Sequence, residues 1–206
     1  GRVHWYRNTG TDDTPQLSAM GFLQGGGADI EVTEPAAPVV VDWYSHGRKD
    51  LVVGDGAGRV WLFLNEGTDA APVLAAGVAI SLPDVGVART NARPFITDWD
   101  QDGRKDLLVG DANGRIYLFL NTGTDAAPAF TSGATLTGQS GEVVVSSNAA
   151  PFVVDWDNNG VRDLVVGSND GEVFLVAGTV PPAPSSSGSG GSTAGSSSSS
   201  EGASGS

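Results

Sequence analysis

The chain has 206 residues, no cysteine and a formal net charge of −13. The absence of cysteine excludes disulfides and cysteine-based metal sites, and the acidic charge argues against nucleic acid, whose phosphates require clustered Lys and Arg. No apolar stretch approaches the length of a membrane-spanning helix, so we expect no membrane insertion.

A repeat with a period of 56 or 57 residues runs through the sequence. Equivalent glycines at Gly1, Gly58, Gly114 and Gly171 each open an apolar segment, and a Gly-Thr-Asp-x-x-Pro turn follows three of these segments. Repeats of this size are typical of solenoids, propellers and arrays, in which each unit buries itself against its neighbours.

Each full repeat is predicted to contain four short strands. In the second full repeat they are expected at 94–99, 106–110, 115–121 and 129–136, bounded by Gly, Asn and Asp. No stretch shows a helical period, and the third strand is apolar on both faces, as in sheets that are covered on both sides. These features predict an all-β fold, a β-propeller of four-stranded blades, in preference to a stacked solenoid or a series of small sandwiches.

The repeat borders divide the chain into about three blades, one partial blade and a tail. The ranges are 1–36 for the partial blade, 37–91, 92–148 and 149–178 for the blades, and 179–206 for the tail. This division predicts thirteen strands, whereas propellers typically have at least four blades. We expect closure to need strands from elsewhere, either from missing sequence, the plainer explanation, or from other subunits, whose heterologous contacts would build rings or filaments.

The tail at 179–206 has an unusual composition. It is almost entirely Ser, Gly, Pro and Ala, with Glu201 as its only charge. Such a segment has too little apolar surface to offset the entropy of ordering, so we expect a linker or a stalk suited to O-glycosylation.

The strongest functional signal is the acidic loop at 98–106, Asp-Trp-Asp-Gln-Asp-Gly-Arg-Lys-Asp. Alternating carboxylates supply the oxygen ligands that Ca²⁺ prefers, and a glycine at the sixth position permits the sharp turn. Three like charges in so short a loop would repel one another without a cation. The predicted ligands are the side chains of Asp98, Asp100, Asp102 and Asp106 and the backbone carbonyl of Arg104.

Two further loops align with this one, at 42–50 and 155–163. The later loop keeps a full oxygen set with one charge fewer, and its predicted ligands are Asp155, Asp157, Asn159, Asp163 and the backbone carbonyl of Val161. The earlier loop is expected to be degenerate and metal-free, with Asp42, Tyr44, His46 and Asp50 at the equivalent side-chain positions. A role for His46 as a transition-metal ligand is the alternative, although a lone exposed His is more often plain surface.

Residues 98–110, followed by the Gly-Arg-Ile-Tyr-Leu-Phe segment at 114–119, resemble the FG-GAP/VCBS repeat of integrin-α-type β-propellers. The resemblance covers roughly residues 1–177. It implies Ca²⁺ in the loops between the first and second strands of the blades, an extracellular or cell-surface setting, and ligand-binding loops on the face away from the calcium. The half-filled first blade and the Ser-rich tail depart from the family pattern.

Catalysis is not expected, because the chain has no cysteine and its histidines are His4 and His46 alone. The carboxylates are assigned to turns and to calcium rather than to a glycosidase pair. We therefore predict a non-enzymatic, calcium-stabilised extracellular module for adhesion or structural assembly, such as a filament or surface-layer subunit. Its expected partners are other copies of itself, further propeller strands, or extracellular protein or glycan ligands.

The alternative function is a lectin-like propeller, or an accessory domain of a secreted polysaccharide-degrading enzyme. Five tryptophans could offer stacking surfaces for sugars: Trp5, Trp43, Trp61, Trp99 and Trp156. Three of the five share one loop position, and such repetition favours packing between blades over ligand binding.

Overall fold

The computed structural model describes residues 1–84, 89–138 and 141–178, and within these ranges it consists of β-strands joined by turns, without a helix. The predicted all-β class is therefore confirmed. The described residues accordingly offer no helix that could span a membrane. The predicted linker or stalk at 179–206 lies outside the described residues.

Seventeen strands are formed by the described residues. They are β1 (His4–Asn8), β2 (Leu17–Phe22), β3 (Gln24–Gly25), β4 (Ala28–Asp29), β5 (Ala37–Val41), β6 (Asp50–Gly54), β7 (Val60–Phe63), β8 (Val78–Ala79), β9 (Arg93–Thr97), β10 (Asp106–Gly110), β11 (Ile116–Phe119), β12 (Ala134–Thr135), β13 (Thr137–Gly138), β14 (Gly141–Glu142), β15 (Ala150–Val154), β16 (Asp163–Gly167) and β17 (Val173–Val176).

These strands form small antiparallel sheets that follow the sequence repeat. Strands β5 to β8 and strands β9 to β12 make two four-stranded sheets in chain order, β15 to β17 make a three-stranded sheet, and β1 pairs with β2. Two short hairpins, β3–β4 and β13–β14, are additional. When these hairpins are set aside, the remaining thirteen described strands are distributed as predicted.

The predicted strand positions agree best in the middle of each sheet. In the second full repeat, β10 has the predicted bounds, while β9 and β11 differ from prediction by a few residues at their ends. The fourth strand is much shorter than predicted, because Phe130 forms only an isolated bridge with Asn121 and the ladder resumes at Ala134. The repeat therefore has a strong inner pair of strands and a weak outer strand.

The core lies between successive sheets rather than within any one of them. All five residues of β6 are buried, as are all five of β10, so both faces of these strands are covered. Three hydrophobic clusters fill the interfaces: Val3, Ile30, Leu51 and Val53 in the first, Val52, Leu62, Leu107 and Phe119 in the second, and Leu108, Ile116, Leu164 and Val166 in the third. Burial of each such side chain contributes about 1.5–3 kcal/mol, so each sheet is stabilised mainly by its neighbours.

Adjacent sheets approach one another closely at the last residue of the second strand. A Cβ atom added to Gly54 would lie 2.1 Å from the carbonyl oxygen of Ala92, and one added to Gly110 would lie 2.0 Å from that of Ala149. No other residue fits this contact without moving the backbone of the next sheet.

Candidate metal centre

All three acidic loops lie at the same place in the fold, between the first and second strands of a sheet. Residues 42–50 connect β5 to β6, residues 98–106 connect β9 to β10, and residues 155–163 connect β15 to β16. The repeat thus presents the loops at the same corner of three successive sheets.

In the second loop, the first aspartate holds the turn. Asp98 accepts the amide of Asp102 at Oδ1 and the amide of Gly103 at Oδ2, both at 3.0 Å. Gln101 and Gly103 have φ values of 61° and 86°. A Cβ atom on Gly103 would meet nothing within 4 Å, so its backbone conformation, and not a lack of space, favours glycine there.

The ninth residue of the loop anchors it to the sheet. Asp106 is fully buried, and it accepts the amides of Trp99 at Oδ2 and Asn121 at Oδ1, each at 2.8 Å. Burial raises the pKa of the Asp106 carboxyl, although the bonds from these two amides act in the opposite direction. A carboxylate has about four lone-pair sites, so Asp106 can hold both amides and still bind a cation.

Three carboxylates of the second loop converge. Asp98, Asp100 and Asp106 each offer an oxygen atom, and these atoms lie within 4.8 Å of one another. The set runs from exposed Asp100 through half-buried Asp98 to buried Asp106, so the group opens to solvent on one side. Ca²⁺ is a hard cation that takes six to eight oxygen ligands at flexible geometry, and this all-oxygen donor set fits it.

Asp102 does not belong to this converging set. Its Oδ1 accepts the amide of Arg104 at 2.9 Å, and its Oδ2 contacts the guanidinium group of the same arginine. Arg104 also donates from Nε to the carbonyl oxygen of Asn121 at 2.8 Å. The role of Asp102 as a direct ligand, and that of the Arg104 carbonyl, therefore stay predictions.

The third loop has the same framework with one amide in place of a carboxylate. Asp155, Asp157 and Asp163 bring their ligand atoms within 4.8 Å of one another. Asn159 accepts the amide of Val161 at 2.7 Å and donates from Nδ2 to Asp157 at 2.9 Å. The predicted ligands thus share one small region, and Asn159 corresponds in position and in backbone contact to Asp102.

In the first loop, an imidazole takes the place of a carboxylate. Ligand atoms of Asp42, His46 and Asp50 also lie within 4.8 Å of one another. However, Nδ1 of His46 accepts the amide of Arg48 at 3.2 Å. A ring nitrogen has one lone pair, so this nitrogen cannot hold that amide and a cation together, as a carboxylate oxygen can.

The turn of the first loop persists without the carboxylates of the third and fifth positions. Asp42 accepts the amides of His46 and Gly47 at 2.9 and 2.8 Å. Burial opposes ionisation of Asp42, but the bonds from these amides outweigh it and hold the pKa of its carboxyl below the usual value. Tyr44, at the third position, packs against the cluster between the two four-stranded sheets. The first loop therefore keeps the geometry and loses much of the oxygen set.

Hydrogen bonds join each loop to the neighbouring repeat, and these bonds were not predicted from the sequence. Gln101 donates to the carbonyl oxygen of Gly160 at 3.2 Å, and Arg162 donates to the carbonyl oxygen of Asp98 at 3.3 Å. These bonds tie the second and third loops together. The only signal was the polar residue at the fourth position of each loop, and all three of these residues have positive φ.

The first loop is tied to the second sheet by a different contact. Ser45 donates to Oδ2 of Asp125 at 2.7 Å, and Lys105 donates to the same oxygen from Nζ at 2.6 Å and to Oδ1 from its amide at 2.8 Å. Burial opposes ionisation of Asp125, but the Lys105 bonds outweigh it and lower the pKa of the carboxyl. One carboxylate therefore links two repeats.

The tryptophans that share one loop position differ in burial. Trp43 is fully buried and Trp99 packs against the third cluster, whereas Trp156 is 63% exposed. Of the others, Trp61 packs against the first cluster, and the guanidinium of Arg7 lies 5.4 Å from the ring of Trp5. Packing between sheets accounts for most of the set.

Comparison with known proteins agrees with this architecture. Residues 98–166 match the model of the FG-GAP-like repeat. Integrin alpha-4 from Xenopus laevis is 27% identical over 199 aligned residues, which cover 85% of this chain. The chain spans only 18% of that relative's length. The prediction that the chain contains an FG-GAP repeat is confirmed.

Proposed function

We propose that this FG-GAP repeat protein is a non-enzymatic, calcium-stabilised module of the β-propeller type that acts in adhesion or structural assembly outside the cell. The repeat and the similarity to an integrin alpha chain support a propeller-like module related to adhesion. The calcium requirement and the extracellular setting go further and rest on the chemistry of the acidic loops.

The observation that carries the proposal is the convergence of Asp98, Asp100 and Asp106 within 4.8 Å at one corner of a sheet. The cationic side chains nearby are engaged elsewhere: Asp102 and a backbone carbonyl hold Arg104, Asp125 holds Lys105, and Arg162 donates to the carbonyl oxygen of Asp98. Three carboxylates at this distance repel one another, so a divalent cation would stabilise the folded loop.

The residues of the second loop would both bind the ion and hold the turn in place. Bound Ca²⁺ would offset the negative charge of the three converging carboxylates. Asp98 and Asp106 already hold backbone amides on either side of the turn, so their remaining lone pairs would bind the ion without a change of turn. Asp100, exposed, would close the site from the solvent side.

The proposed setting follows from the affinity that such loops reach. Calcium sites of extracellular modules have dissociation constants of about 0.1–1 mM, so they fill outside cells and stay empty in the cytosol. A stabilising ion of this affinity suits a module that functions at the cell surface or beyond it.

Thermal unfolding with and without calcium tests the proposal. We expect the melting temperature to rise with millimolar CaCl₂ and to fall when EDTA is added. Asp100→Asn should remove much of this response, because it deletes one charge and leaves the turn bonds of Asp98 intact. Ser45→Ala, in the first loop, is the matched control and should keep the response. An unchanged melting temperature on chelation would contradict the calcium claim.

A further inference from the structure

The fifth and seventh residues of the acidic loops interact in the same way in all three repeats. In each loop, the side chain at the fifth position accepts the backbone amide of the seventh residue. The acceptor atoms are Nδ1 of His46 at 3.2 Å, Oδ1 of Asp102 at 2.9 Å and Oδ1 of Asn159 at 2.7 Å. One atom of the fifth side chain is therefore committed to the turn, and its second polar atom can take another partner.

That second polar atom has different partners in the second and third loops. In the second loop, Oδ2 of Asp102 contacts the guanidinium group of Arg104. In the third loop, the seventh residue is the uncharged Val161, and Nδ2 of Asn159 donates to Asp157 at 2.9 Å. Of the three loops, only the second combines an acid at the fifth position with an arginine at the seventh.

Arg104 is also held from its other side. Its Nε donates to the carbonyl oxygen of Asn121 at 2.8 Å, just after β11. The side chain of Arg104 is 40% exposed and that of Asp102 is 24% exposed, so the ion pair is in contact with solvent. Ion pairs of this kind are weak and are screened by salt, so a doubly charged ion can displace the arginine.

Asp102 is the remaining carboxylate of the second loop beside the three that converge. Ca²⁺ takes six to eight oxygen ligands, so Asp98, Asp100 and Asp106 leave room for further oxygens. Oδ1 of Asp102 can keep the amide of Arg104 while Oδ2 changes its partner. Release of Asp102 from the guanidinium group would therefore leave the turn undisturbed.

We propose that Arg104 lowers the calcium affinity of the second loop by holding Asp102, and that calcium binding transfers Oδ2 of Asp102 from the guanidinium group to the ion. A calcium ion that uses Asp102 must first break the ion pair, so the apparent affinity falls with the fraction of chains in which the pair is formed. Arg104 is thus a positioning residue that acts through Asp102. This inference rests on the calcium binding proposed above and names a regulation of that same site.

Replacement of Arg104 by the residue of the third loop tests the proposal. Arg104→Val removes the guanidinium group and keeps the backbone carbonyl that is a predicted ligand. All chains carry Asp157→Ala, which deletes a carboxylate of the third loop, so that calorimetric titration with CaCl₂ reports the second loop. We expect the calcium affinity to rise about three- to fivefold, the factor that corresponds to an exposed ion pair.

The melting temperature in EDTA separates this role from a merely structural one. Arg104→Val also loses the bond to the Asn121 carbonyl, so its melting temperature without calcium should not rise. The expected result is therefore a higher calcium affinity in a chain that is no more stable without calcium. A side chain that only supports the loop would lower both quantities when it is removed, and that result would overturn the inference.

Arg115→Val is the matched control. Arg115 pairs with Glu142 at 3.1 Å, both side chains are 36% exposed, and Arg115 lies beyond the end of β10 that is opposite the loop. This variant removes the same charge from the chain and should leave the calcium affinity unchanged. An equal rise in both variants would assign the effect to net charge and overturn the inference.

Salt dependence supplies the last measurement. The gain in affinity of Arg104→Val should shrink between about 0.1 M and 1 M NaCl, because the Debye length falls from about 10 Å to about 3 Å. No gain, or the same gain at both salt concentrations, would overturn the inference. Calcium binding without a gain would leave the calcium proposal intact, whereas the absence of binding in every chain would overturn that proposal too.

Discussion

The first and second acidic loops have the same backbone and different ligand chemistry. In both, the first aspartate accepts two amides of the turn, and the ninth aspartate accepts the amide of the tryptophan at the second position. The two loops differ at the third and fifth positions, where the first loop has Tyr44 and His46 and the second has Asp100 and Asp102. The turn therefore depends on the two outer aspartates, and the inner positions determine whether a cation finds enough oxygen.

The largest expected effect on stability comes from substitution of the ninth aspartate, which anchors both loops to their sheets. Asp106→Ala would leave the half-buried amide of Trp99 and the buried amide of Asn121 without their acceptor, at about 1–3 kcal/mol each. Asp50→Ala should cost a similar amount in EDTA, because Asp50 holds the amides of Trp43 and Asn65 in the same way. Denaturant unfolding in EDTA and in CaCl₂ measures both variants.

The two anchor variants should diverge once calcium is present. Asp106→Ala is expected to lose additional stability in CaCl₂, relative to the unaltered chain, whereas Asp50→Ala should show the same deficit in both buffers. Equal deficits of Asp106→Ala in EDTA and CaCl₂ would mean that the second loop gains nothing from calcium.

The next largest effect is expected from a variant that removes the difference between the first and second loops. The double variant Tyr44→Asp, His46→Asp gives the first loop the inner carboxylates of the second, on a turn that already has the required shape. With calcium at ten times the dissociation constant, the added site should stabilise the fold by about 1.4 kcal/mol. Calorimetric titration should show one more bound calcium per chain than in the unaltered protein, and an unchanged number would show that the turn alone does not make a site.

A smaller effect concerns the carboxylates that follow each third strand. Asp125 holds Lys105 and also Ser45 of the neighbouring repeat, whereas Asp69 holds only Lys49 among the bonds observed. Asp125→Asn should cost about 1–2 kcal/mol at neutral pH, since its side chain is 15% exposed. Asp69→Asn, more exposed to solvent, should cost less.

The stabilisation that the Asp125 carboxylate provides should depend on pH in a definite direction. The pKa of Asp125 is lower in the folded state than its ordinary value, with burial opposing and the Lys105 bonds producing the shift. Its stabilisation is therefore fully present above the unfolded pKa of about 3.9 and is lost as pH falls through the folded pKa. The difference between Asp125→Asn and the unaltered chain should shrink in acid. A difference that stays constant down to the lowest pH that preserves the fold would argue against an ionic role.

The smallest effect is expected from the side chain that joins the two acidic loops. Gln101→Ala removes one exposed bond to the carbonyl oxygen of Gly160 and should cost no more than about 0.5 kcal/mol. Its informative readout is calcium binding by the third loop, which should weaken slightly if the loops are coupled. Gln24→Ala, an exposed glutamine far from the loops in sequence, serves as the control.

Prediction from the sequence was most successful at positions where one physical requirement permits only one residue type. Gly103 and the outer aspartates predicted the turn, and the two-sided apolar third strand predicted sheets covered on both faces, as the burial along β7 and β11 shows. The short hairpins β3–β4 and β13–β14 were not predicted, because two-residue ladders contain no periodicity to detect.

The candidate site was predictable in its members but not in their arrangement. Alternation of aspartates indicated a ligand set, yet it could not distinguish Asp100, which joins the converging group, from Asp102, which contacts Arg104. That distinction depends on a competing cation two residues away. The bonds from Gln101 and Ser45 to other repeats depend on how the sheets stack, and local sequence carries little information about that.

The glycines at the ends of the second strands limit how closely neighbouring sheets can pack. At Gly54 and Gly110, backbone meets backbone with no side chain between, so these contacts set the minimum separation of adjacent sheets at this end of the strands. A single added methyl group at either position would push the next sheet away, and the loss would fall on the apolar contacts between the two sheets rather than on the strand that carries the glycine.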